Sequence, residues 1–254
     1  MAEVIAVVNQ KGGVGKTTTV VGLAYALGQK GKKVLVIDFD PQGNATSGLG
    51  IPKKTKTMAE VISGAIEIKD AIVSTEFTGV DVAVGDARLA NVEVEIAKDD
   101  ASKFARLKKA VSGVKQNYDY ILVDSPPSLS LLTINCLTAA DSLLVPVQTE
   151  FYALEGLAQL TETVGLIKKA LNPNVKLIGL VATMYDSRTM LARQVLAEIE
   201  KHFKSKVFKT VVPRNVRIAE APSFGKPVGA YDKFSRGAKA YKELAKEILA
   251  LNYS

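Results

Sequence analysis

The run Lys11-Gly12-Gly13-Val14-Gly15-Lys16-Thr17-Thr18-Thr19 carries the most chemistry in this chain. Its glycines let successive backbone N–H groups curl around an anion, and a helix starting beneath it adds its positive dipole end. Lys16 is placed to reach the terminal phosphates of a nucleotide, and Thr17 to offer a hydroxyl to magnesium. Counted back from Gly15-Lys16-Thr17, the usual phosphate-binding pattern has Gly where this chain has Gln10. Lys11 comes next, so a second lysine stands beside the phosphates. An apolar segment, Val4–Val8, precedes the run and a helical segment, Val20–Leu27, follows it. That strand, loop and helix order separates a phosphate-binding loop from a chance Gly/Lys turn.

Hydrolysis of a phosphoanhydride also needs an oriented water and positive charge on the developing phosphate oxygens. Two acidic segments fall where ligands bind in α/β sheets, beyond the C-terminal ends of strands. They are Asp38-Phe39-Asp40-Pro41-Gln42-Gly43 and Asp124-Ser125-Pro126-Pro127. Asp124 ends an apolar run and is the candidate carboxylate for magnesium, directly or through water. In extended backbone Asp38 and Asp40 face the same side, and Pro41 helps to end the strand. Asp40 is the candidate for positioning and polarising the water, Asp38 for supporting magnesium or Thr17, and both stand with Thr17 and Asp124 in the expected magnesium set. Spacing alone leaves the choice between them open.

These residues need a scaffold, and the apolar pattern outlines one. Val4–Val8, Val34–Ile37, Val80–Val84, Tyr120–Val123, Ser142–Val147, Leu177–Ala182 and Val207–Val212 read as strands. Several are apolar throughout, as expected where helices cover both sheet faces. Helical spacing marks Thr18–Gly31, with Gly31 as a C-cap, then Ala101–Val114, Gly156–Leu171, Thr189–Phe203 and Ala238–Leu251. The alternation predicts an α/β, doubly wound, mostly parallel sheet of about seven or eight strands with helices on both faces. No linker or repeat interrupts it, so residues 1–254 read as one domain. In Ala238–Leu251, the apolar residues Tyr241, Leu244, Ala245, Ile248 and Leu249 predict a packing helix rather than a membrane-seeking one.

Composition narrows the classes. The chain has 254 residues, 47% of them hydrophobic, as expected of a well-buried globular protein. Its 33 Lys and Arg against 26 Asp and Glu give a net charge of +7, which suits a polyanionic partner. One cysteine, Cys136, excludes an internal disulfide and any CxxC metal or cluster site, and its apolar surroundings predict a buried small hydrophobe. The one histidine, His202, leaves little for zinc binding or histidine-based acid–base chemistry. Neither a signal peptide nor an apolar stretch of membrane-spanning length is present, so a cytoplasmic location is expected.

With these motifs in place, the chain resembles the ParA/Soj partitioning ATPases, within the deviant P-loop group that includes MinD and nitrogenase iron protein. The likeness covers essentially the whole length. Besides the phosphate loop it rests on Asp38–Thr46, Asp124–Leu129, Phe151–Leu157, Pro213–Arg217 and Glu220–Gly225. The resemblance implies an ATP- and Mg2+-dependent switch in which two subunits close face to face around two ATP molecules. Lys11 of each would reach the other's phosphates, much as an arginine finger does. Asp40 matches the carboxylate needed for hydrolysis but not for closure. Gly12, Gly13, Val14, Gly15, Lys16, Thr17 and Thr18 would hold phosphates; Met184, Pro213, Arg214 and Asn215 match the adenine region. Glu150 would lie near the partner-facing part of the site.

The resemblance further implies sequence-independent DNA binding by the ATP-bound homodimer. Arg188 and Arg217 correspond best to family DNA contacts, while Arg193, Lys226, Lys233 and Arg236 are added from charge and position. A ParB/Spo0J-like centromere-binding protein is the implied activator, and the nucleoid the implied location. The loop's position leaves no room for an N-terminal helix-turn-helix domain, and the tail Glu247–Ser254 lacks the cations of a MinD-type membrane anchor. Two alternatives stand beside this reading: a MinD-like or other cargo-positioning ATPase, and a nucleotide-dependent scaffold that does not hydrolyse.

Overall fold

A computed structural model describes residues 1–52, 56–98 and 102–251. Eight strands form one sheet: β1 (Glu3–Val7), β2 (Val34–Asp38), β3 (Ile72–Ser74), β4 (Val80–Ala83), β5 (Tyr120–Asp124), β6 (Ser142–Gln148), β7 (Lys176–Tyr185) and β8 (Val207–Pro213). Their spatial order is β3-β4-β2-β5-β1-β6-β7-β8. Every pairing is parallel except β3 with β4. The chain moves to one side of β1 first and later crosses to β6 on the other. That reversal opens a crevice at the C-terminal end of β1, the place where this architecture binds ligands.

Strand alternation feeds two cores. On β1, Val4 and Ala6 face one layer while Ile5 and Val7 face the other; Ile121 and Val123 of β5 oppose Tyr120 and Leu122 in the same way. Both faces are buried, so the strands read as unbroken apolar runs. One layer packs under helices that include Leu131–Ala139, Ala153–Ala170 and Met190–Phe203. The other packs under the helices Lys16–Gly28 and Arg236–Leu249. These two helices touch closely: a Cβ on Gly22 would lie 2.6 Å from the Tyr241 ring, so glycine is what permits the approach. Cys136 is buried in the first layer, where burial pushes its thiol up from its usual range.

Several boundaries differ from the sequence reading. The phosphate-loop helix ends at Gly28 and is capped at Gln29; Gly31 adopts φ +77° in the turn beyond it. The segment predicted as Ala101–Val114 is helical only over Arg106–Ser112, with turns over 102–105; Ala101 lies outside the described residues. Strand β3 was not predicted, being three residues long, partly exposed and antiparallel at the sheet edge. The C-terminal helix begins at Arg236 on the Ser235 cap and buries Tyr241, Leu244, Ala245 and Ile248. Its Glu247 accepts hydrogen bonds from the backbone N–H groups of Lys209 and Thr210, satisfying donors of the edge strand β8. The end of the tail, residues 252–254, lies outside the described residues. Among the described residues no helix is long and apolar enough to cross a membrane.

Candidate active site

The phosphate loop joins β1 to the helix Lys16–Gly28, and two left-handed glycines shape it: Gly13 at φ +75° and Gly15 at φ +89°. A side chain at either position would strain the backbone that turns the N–H groups inward. The loop is anchored on both flanks. Asn9 donates from its amide to the Pro146 carbonyl (2.8 Å) and accepts from the Lys11 N–H (3.0 Å). Thr183, at the end of β7, donates to the Val14 carbonyl at 2.8 Å.

Gly12, Gly13, Gly15, Lys16, Thr17 and Thr18 line a cavity of about 610 Å³ together with Asp40, Gln42 and Pro127. Asn44, Ser47 and Gly48, from the short helix Asn44–Gly48, close one side. A second cavity of about 470 Å³ shares Gly15, Thr18 and Met184 with the first and extends to Pro213, Arg214, Asn215 and Tyr241. The expected phosphate and base residues are thus brought to two connected hollows. Met184 holds φ +50°, an uncommon conformation for a residue with a side chain, at the junction of the two.

Electrostatics concentrate at the loop. Lys16 is buried, and its Nζ donates to the Lys11 carbonyl at 3.1 Å. Burial lowers its pKa, opposed by the charges of Asp124 and Asp40. Asp124 is buried without a hydrogen-bond partner on either oxygen. Burial pushes its carboxyl well up, Asp38 and Asp40 add to this, and the Thr17 hydroxyl and Lys16 ammonium oppose it. Asp38 is also buried and rises to about 6, chiefly through burial. One of its oxygens accepts from the Thr46 N–H and hydroxyl, both at 2.7 Å, while Oδ1 has no partner. Asp40 accepts the Gln42 N–H at 3.0 Å and faces the first cavity.

The open choice between the two acids has a geometric side. Asp38 points into the protein and tethers the helix Asn44–Gly48 through Thr46, whose hydroxyl also accepts the Gly85 N–H at 3.1 Å. Asp40 lines the cavity. Unpaired carboxylate oxygens on Asp124 and Asp38, beside Thr17, form an all-oxygen donor set of the kind magnesium takes. The residues fit that ion.

Lys11 does not point into the cavity. Its Nζ pairs with Glu150 Oε2 at 2.6 Å, and Gln148 donates to the other carboxylate oxygen. Thr46, Thr183 and Tyr241 are site neighbours that the sequence does not single out as such: Thr46 closes the motif Asp38–Thr46, Tyr241 reads as a packing residue, and Thr183 stands beside Met184.

The six basic residues assigned to DNA have different local partners, though Arg193 reaches the residue next to Arg188 and Arg217 the residue next to Lys233. Arg188 is exposed and bidentate on Asp186, at 2.9 and 2.7 Å. Arg217 pairs with Glu220 at 2.9 Å and Asp232 at 3.5 Å. Arg193 donates to the Ser187 carbonyl at 2.9 Å, and Lys233 lies over the Phe234 ring. Arg236 is exposed at the start of the C-terminal helix, whereas Lys226 lines the first cavity.

A family model described as an AAA domain matches residues 2–177. The sporulation initiation inhibitor protein Soj of Bacillus subtilis is 52% identical over 252 residues, covering 98% of this chain and 99% of that protein. The chromosome partitioning protein ParA of Caulobacter vibrioides is 48% identical, covering 97% and 94%. Among solved structures, cobyrinic acid a,c-diamide synthase from Mycobacterium smegmatis, with bound ATP analog and magnesium, superposes at a TM-score of 0.85 and 35% identity, covering 98% and 95%. The cell division ATPase MinD of Pyrococcus furiosus superposes at 0.79 and 28% identity, covering 98% and 99%.

Proposed function

Because this chain belongs to the Soj/ParA family of chromosome-partitioning ATPases, we propose that it hydrolyses ATP to ADP and phosphate as a dimer-gated DNA-partitioning switch. The observation that carries the reading is that Lys16 and Asp40 line one cavity at the phosphate loop, with the buried, unpaired Asp124 close enough to act on the Lys16 charge. A passive nucleotide binder has no need of a carboxylate facing the phosphates.

The loop N–H groups and Lys16 hold the β- and γ-phosphates, and the adjoining hollow at Met184 and Pro213–Asn215 receives adenine. Thr17 and Asp124 hold magnesium, with Asp38 in support. When bound, that ion offsets phosphate charge. Asp40 orients the water that attacks the γ-phosphorus as the bond to ADP breaks. Lys11 comes from the second subunit to stabilise charge on the transferred group, which ties hydrolysis to homodimer formation.

The ATP-held dimer binds duplex DNA through sequence-independent phosphate contacts. Arg188 and Arg217 act first, with Arg193, Lys233 and Arg236 around them; Lys226, beside the nucleotide cavity, is the weakest member of the set. Two copies of a modest patch add their contacts, which makes DNA binding depend on ATP. A ParB/Spo0J-like protein stimulates turnover, and the protein works on the nucleoid as one ATPase domain over residues 1–254. Burial of the apolar face of Arg236–Leu249 favours this over a tail-driven membrane cycle.

Phosphate release is measured for wild type and Asp40→Ala with DNA and a ParB-type activator, alongside sedimentation with ATP. Wild type should turn over, while Asp40→Ala should dimerise without turning over. Equal inertness of both proteins under activation would overturn the enzymatic reading.

A further inference from the structure

The lysine assigned to the partner's phosphates is engaged within its own chain. Lys11 Nζ lies 2.6 Å from Glu150 Oε2, across 139 positions of sequence. The carboxylate is held from behind: the Gln148 side-chain amide donates to Oε1, and the Glu150 N–H donates to the Gln148 carbonyl at 2.9 Å. The backbone of Lys11 is held too, its N–H on Asn9 and its carbonyl on Lys16 Nζ. The side chains of Lys11 and Glu150 are 44% and 46% exposed, so an incoming group can reach the pair. Beside it Phe151 and Tyr152 stand 73% and 66% exposed, with their rings edge to face at 5.1 Å.

From this geometry, and resting on the function proposed above, we infer that Glu150 is a positioning residue that holds Lys11 in its own subunit until a second copy closes. An ammonium shared between Glu150 and the partner's phosphates would bring that carboxylate against their negative charge, so the two contacts compete. Closure therefore exchanges a carboxylate for a triphosphate at each of two lysines. A triphosphate carries more charge than a diphosphate and competes better for the ammonium, so the pair sets a threshold that ATP passes more readily than ADP. The contact thus acts as a brake on dimerisation in the absence of the γ-phosphate.

An exposed ion pair of this kind is worth about a threefold factor, so two released together shift the dimer equilibrium about tenfold. The test uses the full chain carrying Asp40→Ala, so that ATP is not consumed, with sedimentation velocity reading the dimer midpoint against protein concentration. Glu150→Gln should lower that midpoint in magnesium–ATP about tenfold and allow measurable dimer in magnesium–ADP. The gap from the parent should narrow as sodium chloride rises from about 0.05 to 0.5 M, because screening weakens the parent's pair. Glu150→Asp, whose carboxylate is one methylene shorter, should fall between the two. An unchanged or raised midpoint for Glu150→Gln, or a gap insensitive to salt, overturns the inference. Lys11→Ala separates this from failure of the underlying reading. If it dimerises and, without Asp40→Ala, hydrolyses like wild type, the crossing lysine itself is wrong. If it is inactive while Glu150→Gln matches its parent, the brake alone falls.

Discussion

Asp38 offers a stability experiment in which the effect should shift with pH. Its carboxyl is held at about 6 in the folded protein against 3.8 for an ordinary aspartate, mainly by burial. Below about pH 3.8 the group is neutral in both folded and unfolded chains and imposes no cost. As pH rises from 3.8 toward 6 the unfolded chain ionises first, so stability falls. Above about pH 6 both states are ionised and the full penalty, about 3 kcal/mol, is present. In Asp38→Asn the amide oxygen still accepts from the Thr46 N–H and hydroxyl. The amide nitrogen, however, takes the place of Oδ1, which has no partner. That buried donor costs about 1–3 kcal/mol at every pH. The variant should therefore be less stable than wild type by about 1–3 kcal/mol near pH 4 and gain about 3 kcal/mol on it by pH 8, where it is equal to wild type or more stable by up to about 2 kcal/mol. For a chain of this length each kcal/mol moves Tm by about 2–4 °C. Thermal unfolding at steps from pH 4 to 8, with a chelator to remove magnesium, reads that gain. A difference that keeps one sign and size across that range would refute the assignment of the buried charge to Asp38.

Three further outcomes follow from contacts around the site. Gly22→Ala places a methyl 2.6 Å from the buried Tyr241 ring, and should lower stability by about 1–2 kcal/mol in denaturant titration despite alanine's better helix propensity. Thr183→Val removes the 2.8 Å bond to the Val14 carbonyl and should cost about 1 kcal/mol while weakening nucleotide affinity in calorimetry; unchanged affinity would mean that β7 does not set the loop. Arg188→Ala should weaken DNA binding by the ATP-bound dimer and flatten its log–log salt dependence by about two, one phosphate contact per subunit; an unaltered slope would remove Arg188 from the DNA surface.

Local chemistry explains how much of this was legible. The phosphate loop could be read because glycine conformations, a helix start and Lys16 all lie within one short stretch. The strands could be read because both sheet faces are buried, which forces consecutive apolar residues, as at Ile121–Val123. Strand β3 was invisible for the opposite reason: three partly exposed residues at an edge carry no such pattern. The helix expected from Ala101 begins only at Arg106, since periodicity marks which face could be buried but not whether a neighbour is there to cover it. Arg188 and Arg217 were identifiable as cations; their capture by Asp186, Glu220 and Asp232 was not.

Sequence by itself determined the class of ligand, the strand and helix alternation, and the carboxylates available to the reaction, because each depends on residues adjacent in the chain or on burial period. Tertiary structure alone decided how those groups are divided between roles. Asp38 and Asp40 are two positions apart and equivalent on paper, yet one turns inward to Thr46 and the other lines the cavity at the phosphate loop. Lys11 and Glu150 meet only because β1 and β6 are neighbours in the sheet, an adjacency that arises when the chain crosses over β1 and that no local pattern encodes.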